Sequence, residues 1–467
     1  MKGLRTGSAD ETRWWSLERG PGETLRGALE RTLRKAIVDG ALRAGVALPS
    51  SRALAQELGV SRGVVTDAYD QLASQGFLTV RARSAPVVAP LIASTVPATP
   101  RPPADRPPLY DLSPTTPDVN LFPLTRWLAT TQRVARESGH LMLDYRESQG
   151  EPALRRALAD HLGRTRGVIV DPDHLIVTQG TAQSVDVLLR VLRARGARRL
   201  AVENPSHARQ QERVIAAGLS LVAQPIDAGG IVVGDLDTDA VLVTPAHQFP
   251  TGLVMSADRR RALLGWARNR RALVIEDDYD AEFRYDQEPV RALQGLAPDL
   301  VVQMGTVSKT LAPALRLGWL TAPPDLLEQA TIQKCLIDDF SPALNQLALA
   351  EFLRSGDYDR HVRRARRVYR ARRDRLLDAL ADELPELPVT GVAAGVHVLL
   401  QLPPDVDDVA VAAKAWEARL LIPPLSDFYA DAPLARGLVI GYGRLHESAV
   451  EPAVKALAAA VRAVMYR

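Results

Sequence analysis

One lysine has the surroundings that a carbonyl-binding amine needs. Lys309 lies in the stretch GTVSKTLAPALR, residues 305–316, which follows an apolar, strand-like run. Its amine attacks a carbonyl only when deprotonated, which requires partial desolvation and nearby positive charge. Arg316, seven residues later, can supply that charge or bind a phosphate through its fixed guanidinium donors. We therefore predict that Lys309 holds an aldehyde cofactor, with Thr306, Ser308 and Arg316 beside it, although the stretch alone fits a surface lysine equally well.

A run of carboxylates ends another strand-like segment. Residues 274–283 read VIEDDYDAEF. An ionised aspartate that faces a pyridine nitrogen keeps this nitrogen protonated, so that the ring withdraws electrons, and a tyrosine hydroxyl can bond the phenolic oxygen of such a ring. We assign these roles to Asp277 and Tyr279, with Asp278 as the alternative carboxylate. The competing interpretation is a solvated acidic loop.

A glycine turn between a strand and a helix has the form of an anion site. Residues 171–189 read DPDHLIVTQGTAQSVDVLL. The turn directs backbone N–H groups and the positive end of the helix dipole towards an anion, and Gln183 adds a side-chain donor. Such turns often only connect elements. Because the other motifs accompany it, we predict that a phosphate binds at the turn residues Gly180, Thr181 and Ala182.

Apolar, β-branched runs separated by helical stretches must position these groups. The runs cover residues 175–178, 200–202, 240–243, 272–275 and 300–303. This alternation predicts a largely parallel, buried sheet. The third run leads into TPAHQFPTG, which can place Gln248 or His247 near the cofactor ring. A helical pattern over residues 356–379, followed by strand-like runs at 396–400 and 438–440, predicts a smaller α+β domain.

Composition narrows the class of protein. The chain has 467 residues, a net charge of +3 and a single cysteine, Cys335. The length favours more than one domain, and the small net charge permits nucleic-acid binding only through local basic clusters. One cysteine excludes an internal disulfide framework and a multi-cysteine metal site, and no metal site is predicted. Neither a signal peptide nor a membrane span is visible, so we expect a soluble cytoplasmic protein without a membrane partner.

A proline-rich linker, assigned to residues 90–112, separates this region from an N-terminal helical domain. The segment VPATPRPPADRPP favours extended polyproline conformations. Before the linker, four apolar residues spaced four apart predict the buried stripe of one helix, namely Leu25, Leu29, Leu33 and Ile37. Ser50 or Ser51 can cap a second, short helix that Gly59 ends, and Ser61 can cap a third helix running to about Gln75. A β-ribbon over residues 76–88 completes a winged helix-turn-helix domain, predicted at residues 12–89.

The third of these helices has the residues of a DNA-recognition helix. In a helix-turn-helix, the first turns of the second motif helix enter the major groove. Ser61, Arg62 and Thr66 lie in those turns, and Arg62 can donate two hydrogen bonds to a guanine. The predicted DNA-binding set is completed by residues that can reach the backbone or a base edge, Arg52, Tyr69 and Arg81, although Tyr69 can equally be a packing residue.

The N-terminal domain resembles the GntR-type regulators. The resemblance rests on LPSSR at residues 48–52, on LAQELGVSR at residues 54–62 and on AYDQL at residues 68–72, and it covers most of residues 24–89. It implies that the chain binds a double-stranded DNA operator. The chain departs from the family at the wing, where RSAP at residues 83–86 replaces a glycine-rich tip. Insertion of the wing into the minor groove is therefore not part of the prediction.

The motifs of the remaining chain occur in the order seen in fold-type-I pyridoxal phosphate enzymes. They are Gly180-Thr181, PTG at residues 250–252, Asp277-x-Tyr279, and Ser308-Lys309 with Arg316. Together with the GntR-like head, they make the chain from about residue 24 onwards similar to the MocR-type regulators. The resemblance implies an α/β fold in which an aminotransferase-like, fold-type-I domain at residues 113–467 follows the linker. Its large domain is expected at about 140–350 and its small domain at about 351–467 plus the N-terminal segment.

The same resemblance implies a cofactor and an assembly. It implies pyridoxal 5′-phosphate bound to Lys309 as an internal aldimine, and a homodimer in which each head docks near the body of its partner. Tyr145 is expected to reach the phosphate across the dimer. Family members commonly stack a tyrosine on the cofactor ring where this chain has His207, whose imidazole can also stack but titrates.

A second departure shapes the expected function. Aminotransferases that bind α-carboxylates often have an arginine where this chain has Val439, although Arg209, Arg436 and Arg444 can substitute. Without this arginine, we expect a regulator that senses pyridoxal 5′-phosphate itself. The resemblance to regulators of vitamin B6 synthesis implies that it controls vitamin B6 synthesis genes. The alternatives are an amino-acid-responsive regulator that forms an external aldimine, and an active aminotransferase with an incidental DNA-binding head.

The densest basic stretch of the chain has two interpretations. Residues 359–373 read DRHVRRARRVYRARR. The apolar members fit one stripe of an amphipathic helix, which favours a solvated helix face over a second DNA-binding surface.

Overall fold

The computed structural model describes residues 17, 19–20, 22–80, 84–90, 107–280, 282–285 and 290–466. The chain forms two compact units, Met1–Ala104 and Asp105–Arg467. We call the first unit the head and the second the body. No helix among these residues has the length and apolar character needed to cross a membrane.

The head is a three-helix domain with a small β-ribbon. Its helices are α1 (Leu25–Val38), α2 (Ser51–Leu58) and α3 (Arg62–Ser74), and the ribbon pairs β1 (Leu78–Thr79) with β2 (Val87–Val88) in an antiparallel register. Serine hydroxyls start both helices of the helix-turn-helix, since Ser50 accepts from the N–H of Ala53 and Ser61 from that of Val64. Gly59 ends α2 in the left-handed conformation, which provides the tight turn.

The core of the head follows the predicted pattern, with one difference. Leu29, Leu33 and Ile37 of α1 are buried in the core of the head, where α1 packs on α3, whereas Leu25, at the first position of the helix, is exposed. Leu25 is therefore not part of the buried stripe that the other three residues form.

The body is built on a central sheet that has eight strands among the described residues. Their order is β4-β11-β10-β9-β8-β5-β6-β7. The strands are β4 (Leu175–Thr178), β5 (Arg199–Asn204), β6 (Ser220–Asp227), β7 (Gly230–Ile231), β8 (Ala240–Val243), β9 (Leu273–Asp278), β10 (Val301–Thr306) and β11 (Gly318–Thr321). Strands β10, β9, β8, β5 and β6 are parallel to one another, and all four residues of β4 and of β8 are buried. This arrangement confirms the predicted largely parallel, buried sheet.

Three strands of the central sheet, β6, β7 and β11, were not predicted from the sequence pattern. Strand β11 lies between β4 and β10 and is antiparallel to both, and β7 adds an antiparallel edge to β6. Strand β11 begins at a glycine and contains a tryptophan, so its four residues lack the β-branched run that marks the other buried strands.

Helices cover the sheet and form the second lobe of the body. They are α4 (Leu124–Ser138), α5 (Pro152–Arg166), α6 (Thr181–Ala194), α7 (Ala208–Ala216), α8 (Ala257–Arg270), α9 (Pro324–Asp338), α10 (Ala343–Arg354), α11 (Asp357–Glu383), α12 (Asp408–Glu417) and α13 (Val450–Met465). Apolar residues of α6 and α9 pack on one face of the sheet, and those of α8 on the other. The resulting layers of helix, sheet and helix are the architecture expected of a parallel sheet.

The C-terminal lobe has its own three-stranded sheet and its own core. Strand β13 (His397–Leu402) pairs with β12 (Val389–Thr390) and β15 (Arg436–Gly441), all antiparallel. Helices α11, α12 and α13 pack against this sheet in one apolar cluster. The first described segment of the body belongs to this lobe, because β3 (Tyr110–Asp111) pairs in parallel with β14 (Leu420–Leu421).

The basic stretch lies on α11. Its apolar members, among them Val362, Ala365 and Tyr369, are buried. Arg372 is also buried and donates to Oδ2 of Asp118 at 2.7 Å. One apolar stripe of α11 therefore packs into the core, as the amphipathic pattern predicts. Arg372 of the same helix forms an internal ion pair with Asp118.

Candidate functional site

A cavity of about 230 Å³ lies beside the C-terminal ends of the parallel strands. Lys309 follows β10, Asp277 and Tyr279 lie at and after the end of β9, and Thr181 begins α6. In open parallel sheets, this edge is where ligands bind. The cavity is lined by Thr115, Thr181, Ala182, Val185, His207, Arg209, Gln210, Arg213, Thr244, Phe249, Asp277, Tyr279, Thr306, Ser308, Lys309 and Arg316.

The amine of Lys309 lies in a mostly enclosed position. Burial lowers the pKa of Lys309, and the opposing attraction of Asp280 and Asp277 does not cancel this effect. A hydroxyl pair fixes the turn before the lysine, because Thr306 Oγ1 and Ser308 Oγ are 2.8 Å apart and the N–H of Ser308 donates to Thr306 Oγ1. The lowered pKa shifts the amine towards the deprotonated, nucleophilic form that attack on a carbonyl needs.

Asp277 is the carboxylate that faces the cavity. Its side chain is 5 % exposed, and Oδ2 accepts from Nε2 of Gln210 at 2.6 Å. Oδ1 has no hydrogen-bond partner among the described residues. Burial raises the pKa of Asp277 to about 7, although the bond from Gln210 opposes the shift. The alternative carboxylate, Asp278, is instead held by Arg166, whose Nε donates to it at 2.8 Å.

Tyr279 lines the cavity and leads into a buried polar cluster. Its hydroxyl donates to the carbonyl oxygen of His247 at 3.1 Å, and Nδ1 of His247 bonds Asp280 Oδ2 at 2.9 Å. Ligand atoms of His247, Asp280 and His397 lie within 4.8 Å of one another, a grouping with metal-ligand chemistry. The sequence alone predicts no metal site. The structure nevertheless places these three residues together, with His247 in contact with Tyr279. Nε2 of His247 has no bonding partner within the described ranges.

The predicted anion turn faces the cavity through its backbone. Gly180 has a φ of +101° and precedes α6, a conformation that favours glycine. A Cβ atom at Gly180 would lie 3.5 Å from Nη1 of Arg316, so the guanidinium is beside the turn. Thr181 and Ala182 line the cavity. The N-terminal end of a helix and a guanidinium are therefore presented together, as a phosphate requires.

Gln183 does not reach the cavity. Its Oε1 accepts from the N–H of Gln179 at 2.8 Å and its Nε2 donates to Asp338 Oδ2 at 2.9 Å. Asp338 also accepts from Lys334 and from Ser341. As the third residue of α6, Gln183 points back across the helix start, so it fixes the turn from behind and is not a donor to an anion.

Gln248 and His207 were both predicted to lie near the cofactor ring, but only His207 lines the cavity. Gln248 is buried, and its amide donates to the carbonyl oxygens of Pro205 and Phe249, so it braces the loop instead of facing the cavity. His207 does line the cavity, with its ring centroid 5.4 Å from that of Phe249. Burial and the charge of Lys309 lower the pKa of His207 to about 4. The imidazole is thus neutral in the physiological range and does not titrate there.

Of the three arginines considered as carboxylate ligands, only Arg209 lines the cavity. Arg436 donates to Asp408 Oδ1 at 3.2 Å and Arg444 to Asp111 Oδ2 at 3.0 Å. Val439 is fully buried in a small apolar cluster with Leu399 and Leu425. A guanidinium is therefore absent from the position at which the aminotransferase pattern has one.

Tyr145 lies outside the cavity of its own chain. Its side chain is 87 % exposed, and its only ring contact among the described residues is with Phe340, at 5.8 Å between centroids. Leu141 and Leu143, which precede it, are also exposed. Nothing within one chain tests the predicted contact across a dimer, so it remains a prediction.

The residues predicted to bind DNA are accessible at the start of the recognition helix. Arg52 and Arg62 are exposed, and Nε of Arg62 donates to Ser51 Oγ at 3.3 Å. The hydroxyl of Ser61 is used as the helix cap, and that of Thr66 donates to the carbonyl oxygen of Arg62. These hydroxyls therefore support the surface that the two arginines form.

The remaining two residues predicted to bind DNA are Tyr69 and Arg81. Tyr69 is buried, and its hydroxyl donates to the carbonyl oxygen of Pro49 at 2.9 Å. It therefore ties α3 to the loop before α2, which is the packing role that the sequence also allowed. Arg81 lies outside the described residues.

Sequence reasoning missed several residues of the cavity. Gln210 and Arg213 come from α7, Phe249 from the loop after β8, and Thr115 from the segment that begins the body. Phe249 lies within the TPAHQFPTG stretch, where only His247 and Gln248 were considered, and the other three belong to no motif and reach the cavity only through the fold. The three-residue spacing of Gln210 and Arg213 on one helix was the only available signal.

Comparison with known proteins covers both units. The model described as "Bacterial regulatory proteins, gntR family" matches residues 25–88, and "Aminotransferase class I and II" matches residues 113–456. The HTH-type pyridoxine biosynthesis transcriptional regulator PdxR of Corynebacterium glutamicum is 36% identical over 426 residues, which are 89% of this chain and 91% of that protein. The probable rhizopine catabolism regulatory protein MocR of Rhizobium meliloti is 30% identical over 96% of each chain.

Solved structures support the same fold for the body. The multiple substrate aminotransferase of Thermococcus profundus has a TM-score of 0.72 at 24% identity, covering 78% of this chain and 93% of its own. LysN, the α-aminoadipate aminotransferase of Thermus thermophilus, has a TM-score of 0.70 at 25% identity, covering 76% and 92%. The predicted fold class is confirmed.

Proposed function

The chain belongs to the MocR-type transcriptional regulators, which join a gntR-family head to an aminotransferase class I and II domain, and we propose that it holds pyridoxal 5′-phosphate through Lys309 and changes its operator affinity in response. The observation that carries the proposal is a single cavity that contains a lysine of lowered pKa, a buried carboxylate oxygen without a partner, and a glycine turn beside an arginine.

The lining of the cavity fits this cofactor at both ends. When bound, the cofactor supplies an aldehyde that reacts with amines and a pyridine ring that withdraws electrons. Oδ1 of Asp277 is the group that can hold a proton on the ring nitrogen, and this bond would satisfy an oxygen that has no partner among the described residues. The Gly180 turn and Arg316 bind the phosphate, while Tyr279 orients the ring through its hydroxyl.

We propose that the cofactor itself is the effector and that the regulated genes serve vitamin B6 synthesis. Two observations support this choice. The buried Val439 leaves the cavity without the arginine that holds an α-carboxylate in the aminotransferase pattern. In addition, the relative from Corynebacterium glutamicum is named a pyridoxine biosynthesis regulator.

One observation supports a second candidate, an amino acid as effector. Arg209 lines the cavity beside His207 and Lys309. Among the described residues, it forms no salt bridge with a carboxylate. A guanidinium in this position can bind the carboxylate of an amino acid that reaches the cofactor. Under this candidate, the cofactor alone leaves operator affinity unchanged and a particular amino acid changes it.

Two linked measurements test the proposal. Purified protein with pyridoxal 5′-phosphate is reduced with borohydride, and the labelled peptide is located by mass spectrometry, for which we expect the peptide that contains Lys309. A footprint of the DNA upstream of the chain's own gene and its neighbours is then recorded with and without the cofactor. Lys414→Ala is the matched control for a substitution of Lys309, because Lys414 is a surface lysine paired with Glu417 on α12.

The outcomes separate the candidates. Label on Lys309 together with a cofactor-dependent footprint supports the proposal. A footprint that does not change with the cofactor, but changes with one amino acid, favours the second candidate. Sustained keto-acid production at roughly one turnover per second or more would instead identify an active aminotransferase.

A further inference from the structure

One short segment joins the cavity to the chain that leaves the head. Residues 107–117 are the first described residues of the body, and residues 107–112 are the last six positions of the predicted linker. Thr115, in this segment, lines the cavity together with Lys309, His207 and Arg209. Thr115 is thus a cavity-lining residue only eight positions after Pro107, where the described part of the body begins.

Thr115 is held in an unfavourable backbone conformation. Its φ is +58°, a left-handed value that a β-branched residue rarely adopts and that costs of order 1–3 kcal/mol. Such strain persists only when surrounding contacts fix the backbone. It is commonly found at ligand-binding and switching positions, which makes Thr115 a candidate for a sensing contact.

Two glycines of the C-terminal lobe fix the backbone around Thr115. A Cβ atom at Gly441 would lie 2.1 Å from the carbonyl oxygen of Ser113, and one at Gly443 would lie 2.2 Å from that of Thr116. The N–H of Gly441 donates to the carbonyl oxygen of Leu112 at 2.8 Å. The segment therefore runs in direct backbone contact with β15 and the turn that follows it, with no room for side chains between them.

The other end of the segment is also fixed to the C-terminal lobe. Strand β3 pairs with β14 through Tyr110 and Leu420, and Arg419 donates to the carbonyl oxygen of Pro107. Arg444 donates to Oδ2 of Asp111 at 3.0 Å. Because the segment contacts the C-terminal lobe on both sides of Thr115, a displacement at Thr115 disturbs these contacts.

We propose that residues 107–117 transmit ligand occupancy from the cavity to the part of the linker that precedes them, with Thr115 as the residue that contacts the ligand. This inference rests on the proposed function, because it requires operator affinity to depend on a ligand in the cavity. The segment couples the two sites through chain connectivity and through its contacts with β14 and β15. Ligands that fill the space next to Lys309 bias the backbone at Thr115 between its strained conformation and a relaxed one.

The test measures a coupling ratio, defined as the operator Kd without pyridoxal 5′-phosphate divided by the operator Kd with it. Thr115→Gly removes both the side chain and the backbone strain, and we expect it to bring the ratio at least about fivefold closer to 1. Thr115→Ser keeps a hydroxyl and should retain the wild-type ratio within about twofold. The matched control is Arg271→Gly, which relieves a similar φ of +53° at the end of α8, away from the cavity.

A second variant tests the transmission without touching the cavity. Arg444→Ala removes the bond to Asp111 from a side chain that is about half exposed, so the chain should still fold. We expect the Kd for pyridoxal 5′-phosphate to stay within about twofold, while the coupling ratio moves at least about twofold closer to 1. Arg462→Ala, at an exposed pair with Glu383, is its control and should change neither quantity.

The outcomes distinguish this inference from the function on which it rests. A wild-type ratio of 1 overturns both the proposed function and the transmission. A wild-type ratio far from 1 that Thr115→Gly and Arg444→Ala leave unchanged overturns the transmission alone. An equal loss of coupling in Arg271→Gly would also overturn it, because the effect would then follow from general relaxation of the backbone.

Discussion

Replacing Asp277 by asparagine should weaken cofactor binding and stabilise the cofactor-free protein. The side chain is buried, and its pKa is raised from 3.8 to about 7 because burial penalises the charged form. The amide of asparagine has nearly the same shape, can still accept from Gln210 at the position of Oδ2, and carries no charge. The substituted side chain would therefore fill the site without the cost of a buried carboxylate.

The magnitude follows from the two pKa values and from the sign of the linkage. Because the folded state holds its proton more tightly than the unfolded state, stability falls as the pH rises from 3.8 through about 7 and is constant above that. At about 1.4 kcal/mol for each pKa unit, the full loss at pH 8 is roughly 4 kcal/mol, and at pH 5 it is roughly 2 kcal/mol. Asp277→Asn removes this loss, so its advantage should grow with pH.

Urea unfolding of the cofactor-free full-length chain at pH 4, 5 and 8 measures this effect in the transition of the body. The free energy of unfolding of Asp277→Asn should exceed that of the wild type by a few kcal/mol at pH 8 and by close to nothing at pH 4. Other buried carboxylates, such as Glu203 with a pKa of about 7, are present in both proteins and cancel in the difference. An advantage that is absent at pH 8, or equal at pH 4 and 8, would refute the reasoning.

Three further changes separate the roles of the head and the body. Arg316→Ala removes a charge-assisted bond of about 1.5–3 kcal/mol, so the Kd for pyridoxal 5′-phosphate should rise roughly 10- to 100-fold in a spectral titration; an unchanged Kd would exclude Arg316 as the phosphate ligand. Arg62→Ala should weaken operator binding by about 1–3 kcal/mol in a mobility-shift assay and leave the cofactor Kd unchanged; equal operator affinity would mean that α3 does not read bases through this residue. Ser50→Ala removes the cap of α2 and should lower the stability of the head by about 1 kcal/mol in thermal unfolding; an unchanged melting temperature of the head would contradict the capping role.

The sequence predicted the groups whose chemistry is local. Lys309, Asp277 and the Gly180 turn each follow an apolar strand, and the ends of parallel strands meet at one edge of a sheet, so their convergence could be anticipated. The winged head was equally predictable, because caps and turn glycines act within a few residues. Each of these inferences depends on neighbours in the chain.

Side-chain direction and distant contributions could not be predicted. Gln183 and Gln248 occupy promising positions, but the bonds they make depend on Asp338 and on the carbonyl of Pro205, both remote in sequence. Thr115 reaches the cavity because its segment pairs with a strand some 300 residues later, a contact that no local pattern encodes. The depressed pKa of His207 likewise results from burial that only the fold creates.

The most direct test of the central claim is the operator affinity of the wild type and of Lys309→Ala, each measured with and without pyridoxal 5′-phosphate. We predict that the cofactor changes the operator Kd of the wild type by at least about fivefold, as expected for a coupled site. Lys309→Ala should show one Kd under both conditions while still binding the operator. A cofactor-dependent change that persists in Lys309→Ala, or its absence from the wild type, would contradict the claim that Lys309 reports the cofactor to the DNA-binding head.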